Sequence, residues 1–255
     1  MTDKLPALFV GHGAPTLALD ADKGAPLRAW GRALGRPRAV LVVSAHWEEA
    51  PVTLGTQRTS PLVYDFYGFP KPLYEVRYPA PGAPEIAARV LGLLGAEHVD
   101  QSPARGLDHG VWTPLVHLFP EHDVPVLQLS MPSQLGPDAV FGLGQKLSPL
   151  RDEGVLLVGS GNITHNLRAI GQEGRPPEGW AADFDDWVRD ALTQGDVDTL
   201  RAYRERAPAF AQNHPTEDHW LPLLFALGAA PGEPARFPVA GFELQNLSRR
   251  SVELG

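Results

Sequence analysis

Cysteine is absent from the 255-residue chain. That excludes disulfides, thiolate-bound zinc, cysteine-ligated iron–sulfur clusters and a cysteine nucleophile. Long apolar runs are missing as well. The uncharged stretch Trp220 to Ala230 falls far short of the roughly 18–20 residues a membrane helix needs. Met1-Thr2-Asp3-Lys4-Leu5-Pro6 carries no apolar core of signal-peptide type. Basic runs are also lacking: 22 Lys and Arg stand against 30 Asp and Glu, a net charge of −8. Such a chain is a poor candidate for non-specific binding to nucleic acid or an anionic membrane. A soluble cytoplasmic protein with neither kind of partner is the expectation. The phosphate-binding Gly-x-x-x-x-Gly-Lys-Ser/Thr, a Gly-x-Gly-x-x-Gly after a strand and the Gly-x-Ser-x-Gly nucleophile elbow are all missing. What the chain has instead is nine histidines. If it holds a metal, imidazole and carboxylate must do the holding.

Short apolar runs alternate with helical patterns. Leu5 to Val10, Ala39 to Ser44, Val124 to Ser130 and Val155 to Gly159 read as buried strands, rich in Val and Leu and bounded by Gly, Pro or Asp. Helical patterns cover Ala25 to Leu34, Pro84 to Leu94, Gly110 to Leu118 and Pro137 to Leu147. Others cover Ala181 to Leu192, Asp196 to Arg206 and His219 to Leu227. Strands alternating with helices predict an α/β fold with a central, largely parallel or mixed sheet flanked by helices. Phe237 to Glu243 and Arg250 to Leu254 are candidate edge strands. No repeat or convincing linker interrupts the chain, so a single domain over residues 1–255 is expected. Between Tyr64 and Tyr78 lie six aromatics, where composition alone predicts about 1.2. They either pack a long loop onto the body or wall a pocket for an aromatic ligand.

The histidines fall at equivalent places. His12 follows the first strand in Gly11-His12-Gly13, and His46 follows the second in Ser44-Ala45-His46-Trp47. His165 lies a few residues past the strand that opens at Val155. In a parallel sheet these strand ends share one edge, where ligands bind. One such histidine is often only a hydrogen-bonded structural residue; three at equivalent positions point to a site. Glycines beside His12 and before His165 would let backbone approach a ligand closely. His214 and His219 are five residues apart, so they do not stack on one helical face, and one of the pair is expected at a metal. In Leu107-Asp108-His109-Gly110, Asp108 is a candidate helix cap, with His109 at the helix N-terminus. His98, His117 and His122 receive no role.

Five ordered segments resemble a known family. They are Gly11-His12-Gly13, Ser44-Ala45-His46-Trp47-Glu48, Leu107-Asp108-His109-Gly110-Val111-Trp112, Gly159-Ser160-Gly161-Asn162-Ile163-Thr164-His165-Asn166 and His214-Pro215-Thr216-Glu217-Asp218-His219-Trp220-Leu221-Pro222. The resemblance is to the class III extradiol ring-cleavage dioxygenases of the LigB-type superfamily, in their single-domain DOPA 4,5-dioxygenase branch. It runs from about Leu8 to Leu227 and implies an α/β catalytic domain. It makes His12, His46 and His219 metal ligands and His165 the acid/base. His109 and His214 become substrate-side residues. The substrates implied are a small aromatic diol and O2, and the protein a monomer or small homo-oligomer. Members that hold iron with two histidines and a glutamate differ here, because His219 stands where the carboxylate would. Three neutral imidazoles leave the site at +2. Fe(II) is expected for activity, and Zn(II) also suits the donors, with His165 as a fourth ligand if zinc is bound. Two rival readings use the same residues: a zinc-dependent hydrolase or lyase, and a non-catalytic Memo-type metal-binding or interaction protein. The second has no need of His165.

Overall fold

A computed structural model describes residues 4–255. The reading of Met1 to Pro6 as free of a signal-type run therefore falls partly outside the described residues. In chain order the strands are β1 (Ala7–Gly11), β2 (Ala39–Glu48), β3 (Thr53–Gly55), β4 (Asp100–Ser102), β5 (Val126–Met131) and β6 (Val155–Gly161), then β7 (Ala235–Val239), β8 (Phe242–Glu243), β9 (Leu247–Ser248) and β10 (Ser251–Leu254). The helices are α1 (Ala21–Leu34), α2 (Pro84–Leu94), α3 (His109–Leu118), α4 (Pro137–Leu147) and α5 (Gly179–Gln194), then α6 (Val197–Arg201), α7 (Tyr203–Arg206), α8 (Phe210–Asn213) and α9 (Leu221–Ala229). No helix among the described residues is long and apolar enough to cross a membrane.

One mixed eight-stranded sheet has the order β4-β3-β5-β2-β6-β1-β10-β7. Its centre, β5-β2-β6-β1, is parallel throughout. Side chains alternate across it as strand geometry requires. Ala7, Phe9, Leu41, Val43 and Leu157 enter one apolar core, and Leu8, Val10, Val42, Leu156 and Val158 enter the other. The first core is closed by α2, α4, α5 and α9, the second by α1 and α3. Because both faces are covered, the central strands read as unbroken apolar runs.

Several boundaries differ from the sequence expectation. Strand β2 runs on to Glu48, past a register shift against β5 between Val43 and Glu48. His46 thus lies within the strand's irregular end rather than after it. Helix α1 begins at Ala21, where the Asp20 side chain accepts from the Asp22 and Lys23 amides. The segment Asp196 to Arg206 breaks at Ala202 into α6 and α7, which turns Tyr203 against Phe210 and Trp220. Phe237 to Glu243 divides into β7 and β8.

The four parallel strands all end at one edge. There Gly11 pairs with Gly161, and Ser44 with Ser160. The connections that leave this edge carry the histidines.

Candidate metal centre

His12 leaves the end of β1, His46 sits in the end of β2, and His219 immediately precedes α9. One ring nitrogen from each lies within 4.8 Å of the other two. The ring centroids are 4.9–5.2 Å apart. More than 200 residues of chain separate the first from the last, so only the shared sheet edge brings them together.

The hydrogen bonds behind these rings decide which nitrogens face the centre. Ser160 Oγ donates to the Gly110 carbonyl at 2.5 Å. Its proton is thus spent, and at 3.0 Å from His12 Nδ1 it must accept. His12 therefore carries its proton on Nδ1 and presents a lone pair at Nε2. His219 Nδ1 donates to Asp218 Oδ2 at 2.5 Å, leaving its buried Nε2 without a partner. Asp65 Oδ2 stands 3.5 Å from His46 Nδ1, with no hydrogen bond between them. Nε2 of His46 faces Nε2 of His12 across 3.2 Å. At that distance the two nitrogens share one proton in an N–H···N bond in the metal-free protein, or turn two lone pairs on a shared cation. Burial first, and neighbouring imidazoles second, hold His12 and His219 well below the ordinary histidine range. A divalent metal fits this donor set. The Nδ1 partners are the outer contacts that orient metal-bound imidazoles.

The remaining histidines divide. His109 is buried beside His46, its Nδ1 2.9 Å from Asp65 Oδ1. The same Asp65 oxygen accepts the His109 backbone N–H at 3.1 Å. Asp65 thus caps α3, the task expected of Asp108. Asp108 is instead fully buried, accepting from Ser44 Oγ at 2.8 Å and from the Gln128 amide. His165 lies flat on His219, centroids 3.4 Å apart and planes 8° from parallel. A metal bound by an imidazole lies in its plane. The stacked rings of His219 and His165 therefore cannot both turn an in-plane lone pair on one point. His214 stands apart, among Phe184, Phe210 and Trp220. Its Nε2 donates to the Ile163 carbonyl at 2.7 Å, and its Nδ1 is buried without a partner. Neither nitrogen reaches the surface. The substrate contact expected of His214 is thus replaced by a brace under the turn that carries His165.

Sequence reasoning missed Asp65, Ser160 and Asp218. Asp218 adjoins His219 in sequence, and Asp65 is an acid set between Tyr64 and Phe66, which were usable signals. Ser160 offered none. The aromatic stretch serves mainly as packing. Tyr78 is buried, and Phe66 packs on Phe69, Tyr74 and Trp112. Phe66 also meets the His109 ring edge-on at 5.5 Å, and Tyr67 is 92% exposed.

The glycines near the site serve a purpose other than the one expected. A Cβ on Gly161 would lie 2.2 Å from the His219 carbonyl, and one on Gly159 2.0 Å from that of Pro222. They admit the His219 segment, rather than a ligand, onto β6. On Gly110 a Cβ would stand 2.5 Å from Ser44 Oγ and 2.8 Å from His46 Cδ2. Gly110→Ala must therefore displace His46. We expect a folded protein with metal affinity reduced about 10–100-fold, the range for disturbed outer contacts. Titration with Co(II) alongside circular dichroism checks it, and wild-type affinity would show that His46 tolerates the shift.

Burial pushes His46 down to about 3, and His165 and His214 down to about 4. Kept neutral when folded, these groups bind fewer protons than the unfolded chain does. Stability is then complete above the unfolded value near 6.5 and declines as pH falls from there toward 4. The metal-free protein should show a melting temperature that drops steadily over that window. A flat profile from pH 7 to 5 would contradict it. His214→Gln, which keeps a donor for Ile163, should lessen the slope.

Comparison with known proteins identifies the family. A family model described as the catalytic LigB subunit of aromatic ring-opening dioxygenase matches residues 12–254. The chain is 42% identical to a protein of Escherichia coli (strain K12) named 4,5-DOPA dioxygenase extradiol, over 99% of this chain and 95% of that protein. A Beta vulgaris protein of the same name is 42% identical over 87% of this chain and 85% of its own. The crystal structure of an uncharacterized protein from Escherichia coli K12 superposes with a TM-score of 0.84 at 39% identity. It covers 98% of this chain and 100% of that one.

Proposed function

The chain belongs to the LigB family of aromatic ring-opening dioxygenases and is an extradiol dioxygenase, and from that premise we propose that it opens the ring of a catechol at a divalent metal held by His12, His46 and His219. The observation that carries this reading is the convergence of three imidazoles, with acceptors behind the rings of His12 and His219 that turn their lone pairs inward. When bound, the metal supplies a Lewis acid for the two diol oxygens and a path for electrons from the ring to O2. Zn(II) has no redox chemistry. Ring opening with O2 therefore assigns Fe(II) the working role and makes Zn(II) a competing occupant of the same donors.

The side chains around the centre handle protons and position. A catechol must lose protons to bind through both oxygens. His165, neutral at pH 7 and stacked on the His219 ring, would accept one of them and return it to a departing oxygen. His109, with its Nδ1 toward Asp65, keeps Nε2 as an acceptor for a substrate hydroxyl. Phe66 beside it gives the ring an apolar wall. The net charge of −8 supports a small-molecule substrate over nucleic acid.

The test is anaerobic loading with Fe(II), followed by a panel of catechols and O2. Oxygen uptake with a yellow ring-opened product is the expected result. Inertness across the panel in protein of full iron content would end this reading. Hydrolytic turnover by the Zn(II)-loaded protein without oxygen uptake would favour the hydrolytic alternative.

A further inference from the structure

We propose that Asp218 acts through His219 as the negative charge of the metal centre, in place of a carboxylate bound to the metal itself. The inference rests on the metal-centre reading above. Three imidazoles carrying their own protons are neutral ligands, so a divalent ion among them keeps its full +2. His12 and His219 are almost wholly buried, and an uncompensated charge is costly there. The groups behind the three rings are not equivalent. Behind His12 stands the neutral Ser160 hydroxyl. Behind His46, Asp65 is 3.5 Å away and is engaged by the backbone and ring of His109. Behind His219, Asp218 accepts directly from Nδ1 at 2.5 Å.

Asp218 is also free to give its charge to the centre. Among the described residues it pairs with no lysine or arginine. Arg204 is taken by the neighbouring Glu217, which it grips with two nitrogens. A carboxylate that pulls on Nδ1–H makes Nε2 more basic and lends the ring imidazolate character. One bond system further out, it does what a metal-bound carboxylate does at a two-histidine, one-carboxylate site. It is a positioning and charge-balancing residue and does not touch substrate.

The test uses Co(II) as the probe, with affinity measured by chelator competition and geometry by visible absorption. Asp218→Asn keeps the shape and an acceptor oxygen but removes the charge. It should weaken Co(II) binding about 10–100-fold and shift the absorption bands, while the melting temperature of the metal-free protein stays at the wild-type value. His219→Glu places a carboxylate on the metal, and in that background Asp218→Asn should change affinity little. If the Asn variant fails to fold, Asp218→Glu and Asp218→Gln, alike in length and different in charge, carry the comparison. Wild-type affinity in Asp218→Asn overturns the proposal, as does an equal loss in both backgrounds, which would mean a general field effect. Failure of the wild type to take up Co(II) is a different outcome: it removes the metal-centre reading and this inference with it.

Discussion

Alanine at His12, His46 or His219 will empty the metal centre and leave the chain folded. Each ring supplies one of three inward nitrogens, so losing one leaves two ligands that cannot enclose an ion. The loss of affinity should exceed the ~10–100-fold that outer contacts are worth. The fold should survive, because none of the three rings belongs to either apolar core. Metal content after chelation and reloading reads the first effect, and circular dichroism the second. His214→Ala is the contrasting case. It strands the Ile163 carbonyl and opens a gap among Phe184, Phe210 and Trp220. It should cost stability, about 1–3 kcal/mol for the buried acceptor alone, with metal retained. Full occupancy in any one of the first three variants would remove that residue from the ligand set.

The contrast between His214 and His219 marks the limit of what the sequence could tell. Spacing indicated that the two do not share a helical face, but not which one turns inward. That choice is made by the close seating of His219 on Gly161 and by the aromatic cluster that takes His214. The central strands were legible because burial on both faces leaves unbroken apolar runs. Strands β3 and β4, three residues each, are too short to show any period. They exist because β5 offers β3 a partner and β3 offers one to β4. The strand-end histidines were legible for a topological reason: parallel strands place His12, His46 and His165 on one edge whatever the loops do. The residues behind the rings were not. Ser160 reaches His12 across 148 residues of sequence, and Asp65 reaches His109 across 44. No local pattern encodes such pairs. The cap of α3 shows the same effect: Asp108 has the right identity and position, yet Ser44 and Gln128 claim its carboxylate, and Asp65 fills the vacancy.

His165 should separate from the ligands when it is replaced. His165→Ala and His165→Gln are expected to keep the metal and still bind catechol, yet lose turnover about 10²–10⁴-fold, the usual worth of a positioned acid/base. The stacking on His219 supports the first half of that expectation. With centroids 3.4 Å apart and planes 8° from parallel, the two rings cannot both direct an in-plane lone pair at one ion. Burial chiefly, with His109 adding to it and Asp218 acting the other way, pushes the ring down to about 4, which leaves it in the neutral form that can accept a proton. The ring is neutral at pH 7 and takes up a proton only when an acidic hydroxyl is delivered beside it. Gln keeps a polar head of similar reach but cannot carry that proton, so it should fare no better than Ala in rate. Metal content, catechol binding by absorbance under anaerobic conditions and steady-state O2 uptake measure the three quantities separately. Should either variant lose iron as completely as His12→Ala, His165 would be a fourth ligand. A resting four-histidine centre would leave catecholate and O2 too few open positions, and a zinc-bound role would then displace the ring-opening one.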